Sequence, residues 1–422
     1  MSQKIFHKII IFSLSVLLLG ACKPSALLIK ERKIDAILSE YNSDSKPGAS
    51  VLVFENDKIV FQKGYGVKEL SSFEKIDPFT NFRLASVTKQ FTAMSILLLA
   101  KNNKISLEDP LTKYFSSFPE YGKKIKIKHL LTHSSGLIDY EDLMPSTQQK
   151  QLHDTNCLQL MYVADSLYFP AGTNYKYSNT GYAILALIVE KVSGQDFAVF
   201  LKENIFKPLG MKSTVAFEEG KSTVLNRAYG SSFEKGVWTQ TDQSLTSAVL
   251  GDGGIYTNTV EMTKWIKALW DYKLLSPEMQ KNAWSRKKLD NGKMIDYGYG
   301  WHVEDYNNIT HPYHDGSSIG FRNNILLFPE KKLMIIVLTN RNEGDPIIEA
   351  KKIAKSLGLP IVSGSETGIK DIGEAIKISK EIGFPVLIKA SAGGGGKGMR
   401  IVHQESELLE AIQGAKSEAL KF

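Results

Sequence analysis

The sequence predicts a mixed α/β fold: an antiparallel sheet flanked by helices, interrupted by a mostly helical insert, with a short α+β piece at the C-terminus. Three observations predict it. Strand patterns open the chain near residue 51 and return only from Tyr297 on; the stretch between them reads as helical; and a glycine loop between two apolar strand patterns stands apart after residue 383. Composition agrees, since 422 residues at 43% hydrophobic and 10% aromatic leave room for about two or three domains with a sizeable core. The net charge of +7 comes from lysines spread among acids without a long basic run, which describes a solvated surface rather than a nucleic-acid interface.

Taken in order, residues 1–22 combine Lys4 and Lys8, an apolar stretch from Ile9 to Leu19, and Leu19-Gly20-Ala21-Cys22. A plain transmembrane anchor is one reading, but a short apolar core with small residues before a single cysteine resembles a bacterial lipoprotein signal. That resemblance implies cleavage before Cys22, a diacylglycerol on its sulfur, and an extracytoplasmic protein anchored in the bacterial cell envelope. Cys157 would then lack a partner, so no structural disulfide is expected.

Ile34, Ile37, Leu38 and Tyr41 recur at helical spacing before the turn-rich Asn42–Gly48. Val51–Phe54 and Lys58–Gln62 read as a hairpin across Glu55-Asn56-Asp57. From Ser86 to about Trp270 the pattern is helical, broken by loops such as His133–Gly136 and Phe169–Gly172. Tyr297–Val303, His311–His314, Phe321–Phe328 and Leu333–Leu338 then read as strands, the last two joined at Pro329-Glu330-Lys331. A cleft between the sheet and the insert is the default place for a site.

The chemistry points to Ser86. In Ser86-Val87-Thr88-Lys89, a helix starting at the serine puts the Lys89 amine beside the Ser86 hydroxyl, and the apolar run Phe91–Ala100 suits a buried helix that holds the pair rigid. The same tetrad recurs at Ser43/Lys46, Ser72/Lys75 and Ser232/Lys235, each in a polar stretch, so setting distinguishes Ser86 and spacing does not. Tyr177-Ser178-Asn179 precedes an apolar helix from Tyr182 to Val192 and offers a phenol for proton relay and an amide for orienting a substrate. Its spacing also recurs, at Tyr256/Asn258 and Tyr306/Asn308. His314-Asp315-Gly316-Ser317 closes a strand pattern where glycine permits close approach of a ligand to the backbone. A metal site is the competing reading of His311, His314 and Asp315, or of His129 and His133 at i, i+4. His129–His133 lacks the glutamate of a zinc-protease helix, so no metal is expected.

In this order the three elements resemble the serine β-lactamase and penicillin-binding protein superfamily, in its class C β-lactamase, D-alanyl-D-alanine carboxypeptidase and esterase branch. The resemblance covers about residues 33–341, with Phe82–Lys89, Leu130–Leu137, Gly251-Asp252-Gly253-Gly254 and His314–Ser317 as its signatures. It implies a β-lactamase/transpeptidase-like fold in which Ser86 is the acylated nucleophile, Lys89 its base and Tyr177 the proton relay. Asn179, His314, Gly316 and Ser317 would meet substrate, with the N–H groups of Ser86 and Ser317 as the oxyanion hole. Class C β-lactamases usually carry lysine where this chain has His314, and an uncharged imidazole attracts a substrate carboxylate less. The expectation is a serine hydrolase for a small-molecule, peptide or ester substrate, a carboxypeptidase or esterase before an efficient β-lactamase, with no cofactor. A binding protein that has lost turnover is the alternative.

Gly383–Arg400 resembles the ATP-grasp domain of biotin carboxylase, a likeness covering about residues 348–422. Lys389, Gly394, Gly395 and Gly396 match residues that meet ATP phosphates there. The chain stops at Phe422 before the metal-binding acids of that family, so carboxylase activity is not expected and ATP stays an open alternative for this segment alone. The expected division is a signal peptide over 1–22, a hydrolase over 23–346 and a truncated ATP-grasp-like segment over 347–422, read as a fusion.

Overall fold

The computed structural model describes residues 25–306, 309–359, 371–384, 386–389 and 399–419. Its largest sheet has six strands: β1 (Ala49–Glu55), β2 (Lys58–Tyr65), β3 (His302–Tyr306), β4 (Ile309–Ser318), β5 (Phe321–Phe328) and β6 (Leu333–Thr339). They lie in the order β3-β4-β5-β6-β1-β2, every pair antiparallel. Pairing of β1 with β6, Val51 opposite Val337 and Val53 opposite Ile335, joins the beginning of the fold to its end. These two strands are central and buried on both faces, which is why they read as unbroken apolar runs instead of alternating ones.

Alternate residues of the sheet feed two cores. Val51, Val53, Ile335 and Val337 face Ile34 and Leu38 of the N-terminal segment and Ile347, Ala350, Ile353 and Ala354 of the helix Pro346–Ser356. Leu52, Phe54, Ile325, Leu327, Met334 and Ile336 face the larger core, which holds the helices Lys89–Lys101, Asn179–Ser193 and Thr259–Trp270. Asn179–Ser193 is buried on nearly every side, consistent with its apolar composition, and stops at the left-handed Gly194.

Most of the expected elements form, with informative differences. The N-terminal helix runs from Ser25 to Ile37 and tightens into a 3-10 turn at Ser39–Tyr41. Tyr297–Trp301 is not strand: Tyr297 makes only an isolated antiparallel bridge to His302, where the strand itself begins. The cause is Gly300, held at φ +79° with its Cα so close to the Lys89 helix that a Cβ would lie 2.7 Å from the Lys89 carbonyl oxygen. A three-stranded ribbon of Phe82–Arg83, Ile255–Thr257 and Val215–Ala216 and a hairpin of Ser231–Glu234 with Val237–Gln240 went unread, because strands so short barely display alternation. Pro346–Ser356 packs on β5 and β6, so the hydrolase core runs past the expected division at 346/347.

Beyond it lie the helix Ile372–Ile382, an antiparallel pair Val386–Lys389 and Met399–Val402, and the helix Leu408–Ala419, sharing a small core of Val386, Ile388, Val402, Leu408, Ala411 and Ala415. Cys22, Gly394, Gly395, Gly396 and the side chain of Lys389 lie outside the described residues. Among the described residues no helix is long and apolar enough to cross a membrane.

Candidate active site

Ser86 lies in a 3-10 turn, Ala85–Thr88, that runs directly into the helix Lys89–Lys101. The sequence predicts an α-helix from Ser86. The tighter turn serves the pair at least as well, since residues i and i+3 eclipse in 3-10 geometry. Lys89 Nζ donates to Ser86 Oγ across 3.1 Å. Ala85 enters the turn at φ +50°, a conformation that costs a non-glycine residue roughly 1–2 kcal/mol. Neighbouring backbone ties hold it there: the Asn323 side chain donates to the carbonyls of Arg83 (2.8 Å) and Leu84 (3.3 Å).

Lys89 is fully buried. Besides Ser86, its Nζ lies 2.8 Å from Asn179 Oδ1 and 3.1 Å from the Asp252 carbonyl, donating to both, and it sits 5.0 Å from the Tyr177 ring centre. Asn179 begins its helix with its own N–H on Asp139 Oδ2 (3.0 Å) and its side-chain NH2 donating to Glu141 Oε1 (3.2 Å). The amide expected to meet substrate is thus oriented by a base on one side and a carboxylate on the other.

Tyr177 is placed by two loops clasped together. Gly172 N donates to the Ser134 carbonyl, Lys176 N to the His133 carbonyl, and Ser178 N to His133 Nδ1. The His133 ring then stacks on Tyr177 with centres 4.1 Å apart. Burial raises the Tyr177 phenol well above its ordinary range, with the Ser86 hydroxyl acting the other way, so it carries its proton at neutral pH. Its hydroxyl makes no full hydrogen bond among the described residues.

His314 stands behind this group. Its Nδ1 lies 2.6 Å from the Asp315 carbonyl and its Nε2 2.9 Å from the Tyr297 hydroxyl. A carbonyl only accepts, so Nδ1 bears the hydrogen and Nε2 accepts from Tyr297. Burial, with His302 and Lys89 adding like charge, holds His314 well below its ordinary pKa and therefore neutral. The ring has no exposed surface.

A Cβ at Gly316 would fall 2.1 Å from the Leu84 carbonyl, so glycine lets β4 lie against the nucleophile's turn. β3 covers β4 only as far as Tyr313, and Asp315–Ser317 pair with β5 alone. Among the described residues no further strand covers this edge, which runs past Ser86.

Sequence reasoning missed a second layer. Asp252 is buried and accepts from the Tyr140 hydroxyl at 2.9 Å, while buried Asp154 accepts from the N–H groups of Leu250 and Gly251 at 2.9 Å each. Burial pushes both carboxyls up to about 7. Gly251–Gly254 entered only as a family signature and Tyr297–Val303 only as a strand pattern, and neither says which buried groups meet. The alternative metal reading finds its histidines in other work. His129 Nδ1 accepts from Lys126 N and His133 from Ser178 N, and among the described residues no three metal-ligating side chains cluster.

The sequence matches the Beta-lactamase family over residues 34–357. The chain belongs to that family. Penicillin-binding protein 4* of Bacillus subtilis (strain 168) is 28% identical over 331 residues, 74% of this chain and 72% of that protein. Protein flp of Staphylococcus aureus (strain MW2) is 28% identical over 324 residues, and the match spans only 63% of its length. The octameric penicillin-binding protein homologue from Pyrococcus abyssi has a TM-score of 0.69 at 26% identity, over 78% of this chain and 77% of that one. This chain is thus a serine hydrolase of the β-lactamase family. Residues 347–422 are similar to the ATP-binding domain of the carbamoyl-phosphate synthase L chain, and the two matches share 347–357, essentially the helix Pro346–Ser356.

Proposed function

We propose that the protein is a lipid-anchored, extracytoplasmic acyl hydrolase acting through an acyl-enzyme on an amide, a D-amino-acid peptide or a carboxylic ester. The observation that carries this reading is the buried Lys89 amine 3.1 Å from Ser86 Oγ, with the protonated Tyr177 phenol packed beside it. Lys89 takes the Ser86 proton as Oγ bonds to the substrate carbonyl carbon, and the carbonyl electron pair moves onto oxygen. The N–H groups of Ser86 and Ser317 stabilise that oxyanion. The sheet register supports Ser317 in this role. Ser318 and Phe321 flank a two-residue turn, and alternation along the pair then directs the Ser317 N–H away from β5, to the edge that runs past Ser86. The proton passes through Tyr177 to the leaving nitrogen or oxygen, and a water activated by the same groups releases the acyl chain.

Neutral, enclosed His314 offers no charge to a substrate carboxylate, which favours peptides and esters over efficient β-lactam turnover. Labelling with a fluorescent penicillin and hydrolysis of a chromogenic ester test the reading. Both are expected in the wild type and lost in Ser86→Ala; label that survives Ser86→Ala would sink it. The anchor is tested by Cys22→Ser, expected to move the protein from the membrane to the soluble fraction.

A further inference from the structure

The turn Leu250–Gly253 carries a carboxylate that the steps above do not use. Asp252 needs no side chain to hold that turn in place. Asp154 takes the N–H groups of Leu250 and Gly251, and Thr92 Oγ1 donates to the Gly251 carbonyl at 2.6 Å. The Asp252 residue is instead buried against the catalytic base. Its own carbonyl accepts from Lys89 Nζ, its Oδ2 accepts from Tyr140, and Lys89 is the strongest opposite charge acting on it.

We propose that Asp252 is a positioning residue for the acylation step, its buried carboxylate serving as counter-charge to the ammonium that forms on Lys89 when Ser86 gives up its proton. The inference rests on the acyl-enzyme reading and adds the group that governs the charge of its base. Burying an ammonium without an anion is costly, and an anion in the same low-dielectric pocket offsets that cost. The surrounding charges leave Asp252 this task. Arg83 of the short ribbon acts in the same sense as Lys89, while Glu141 and Asp154 oppose ionisation of Asp252. Cys157 and Tyr177 face it as neutral groups, their pKa values raised by burial and by Asp252 itself. Burial pushes Asp252 up to about 7, chiefly against the pull of Lys89, so its charge is responsive in the range where the base must work.

The test follows phosphonylation of Ser86 by a fluorescent alkyl fluorophosphonate, which needs no knowledge of the natural substrate, as a function of pH. Asp252→Asn keeps the size and the acceptor for Tyr140 but removes the charge. Without the anion the Lys89 ammonium is less favoured, so the midpoint of the rising limb is expected to move to lower pH by about one unit, tenfold in proton affinity. The plateau rate is expected to fall roughly tenfold because the base is weaker. Tyr140→Phe removes the donor that favours the carboxylate and should move the midpoint the same way by less. A midpoint that stays put in folded Asp252→Asn overturns the inference and leaves the acyl-enzyme reading intact. If Asp252→Asn does not fold, the Tyr140→Phe midpoint decides, and an unmoved one overturns it. Wild-type labelling that persists in Ser86→Ala overturns the acyl-enzyme reading, and this inference with it.

Discussion

Tyr297 donates its hydroxyl to Nε2 of His314 across 2.9 Å, and the imidazole passes its own hydrogen to the next carbonyl along β4. The pair is a closed buried unit, so each partner needs the other. Tyr297→Phe leaves the Nε2 lone pair without a donor and is expected to lower unfolding free energy by about 1–3 kcal/mol in urea titrations. His314→Lys puts an ammonium where no surface is exposed and is expected to cost more than Tyr297→Phe. Hydrolysis of a chromogenic cephalosporin should not rise in His314→Lys, because the new charge is enclosed behind the site; a rise would show that the position faces substrate.

Asn179 Oδ1 lies 2.8 Å from Lys89 Nζ, which makes Asn179→Asp the converse of removing the Asp252 charge. A carboxylate in place of the amide favours the Lys89 ammonium. The rising limb of Ser86 phosphonylation is therefore expected to move to higher pH, opposite in sign to Asp252→Asn. The rate at neutral pH should fall about tenfold for each unit of that movement. Glu141, which accepts from the Asn179 amide, would face a like charge, so Asn179→Asp is also expected to melt earlier.

The part of the site legible in the sequence was the part encoded locally. Ser86 and Lys89 are three apart, and both helix types bring such residues together, so the pair could be read without knowing which turn forms. The six-stranded sheet was legible for a similar reason, since its central strands are long apolar runs. Asn179 reaches Lys89 across 90 residues and Tyr140 reaches Asp252 across 112, and no periodicity encodes such meetings. The resemblance to a known family gave Asn179 a role towards substrate and was silent on both meetings. His314 was legible as a residue and not as a position: its pattern marked a strand by the site, while burial of its ring depends on Tyr297, His302 and Tyr177 arriving from elsewhere.

Glu349, on the helix Pro346–Ser356, has its Oε2 buried and without a hydrogen-bond partner among the described residues. Burial pushes its carboxyl up to about 8, with Asp345 and Glu40 adding like charge, so the folded protein holds a proton there that the unfolded chain releases near 4.5. Stability from this group is full below the unfolded value and is lost as pH rises through about 8. Glu349→Gln mimics the protonated form at every pH. Urea titrations are expected to find it more stable than wild type near pH 9, by roughly 1 kcal/mol or more, with the gap narrowing as pH falls towards about 5. A gap independent of pH would mean that Glu349 ionises freely in the folded state.

The same helix decides where the hydrolase ends. Ile347, Ala350, Ile353 and Ala354 complete the core against Val51, Val53, Ile335 and Val337, and Lys351 donates to Glu304 at 3.2 Å. Fully burying an isoleucine contributes about 1.5–3 kcal/mol, so the two isoleucines together contribute about 3–6 kcal/mol, a large share of a domain's stability of typically about 5–15 kcal/mol. A chain ended after residue 345 is therefore expected to be insoluble or largely unfolded by calorimetry. One ended after residue 359 keeps every one of these contacts. It should retain the thermal midpoint of the sheet domain and the Ser86 label of the full chain, because the segment beyond has its own separate core of Val386, Ile388 and Val402. Equal stability of the two truncated forms would show that the terminal helix only rests on the sheet, and would move the end of the hydrolase back to residue 345.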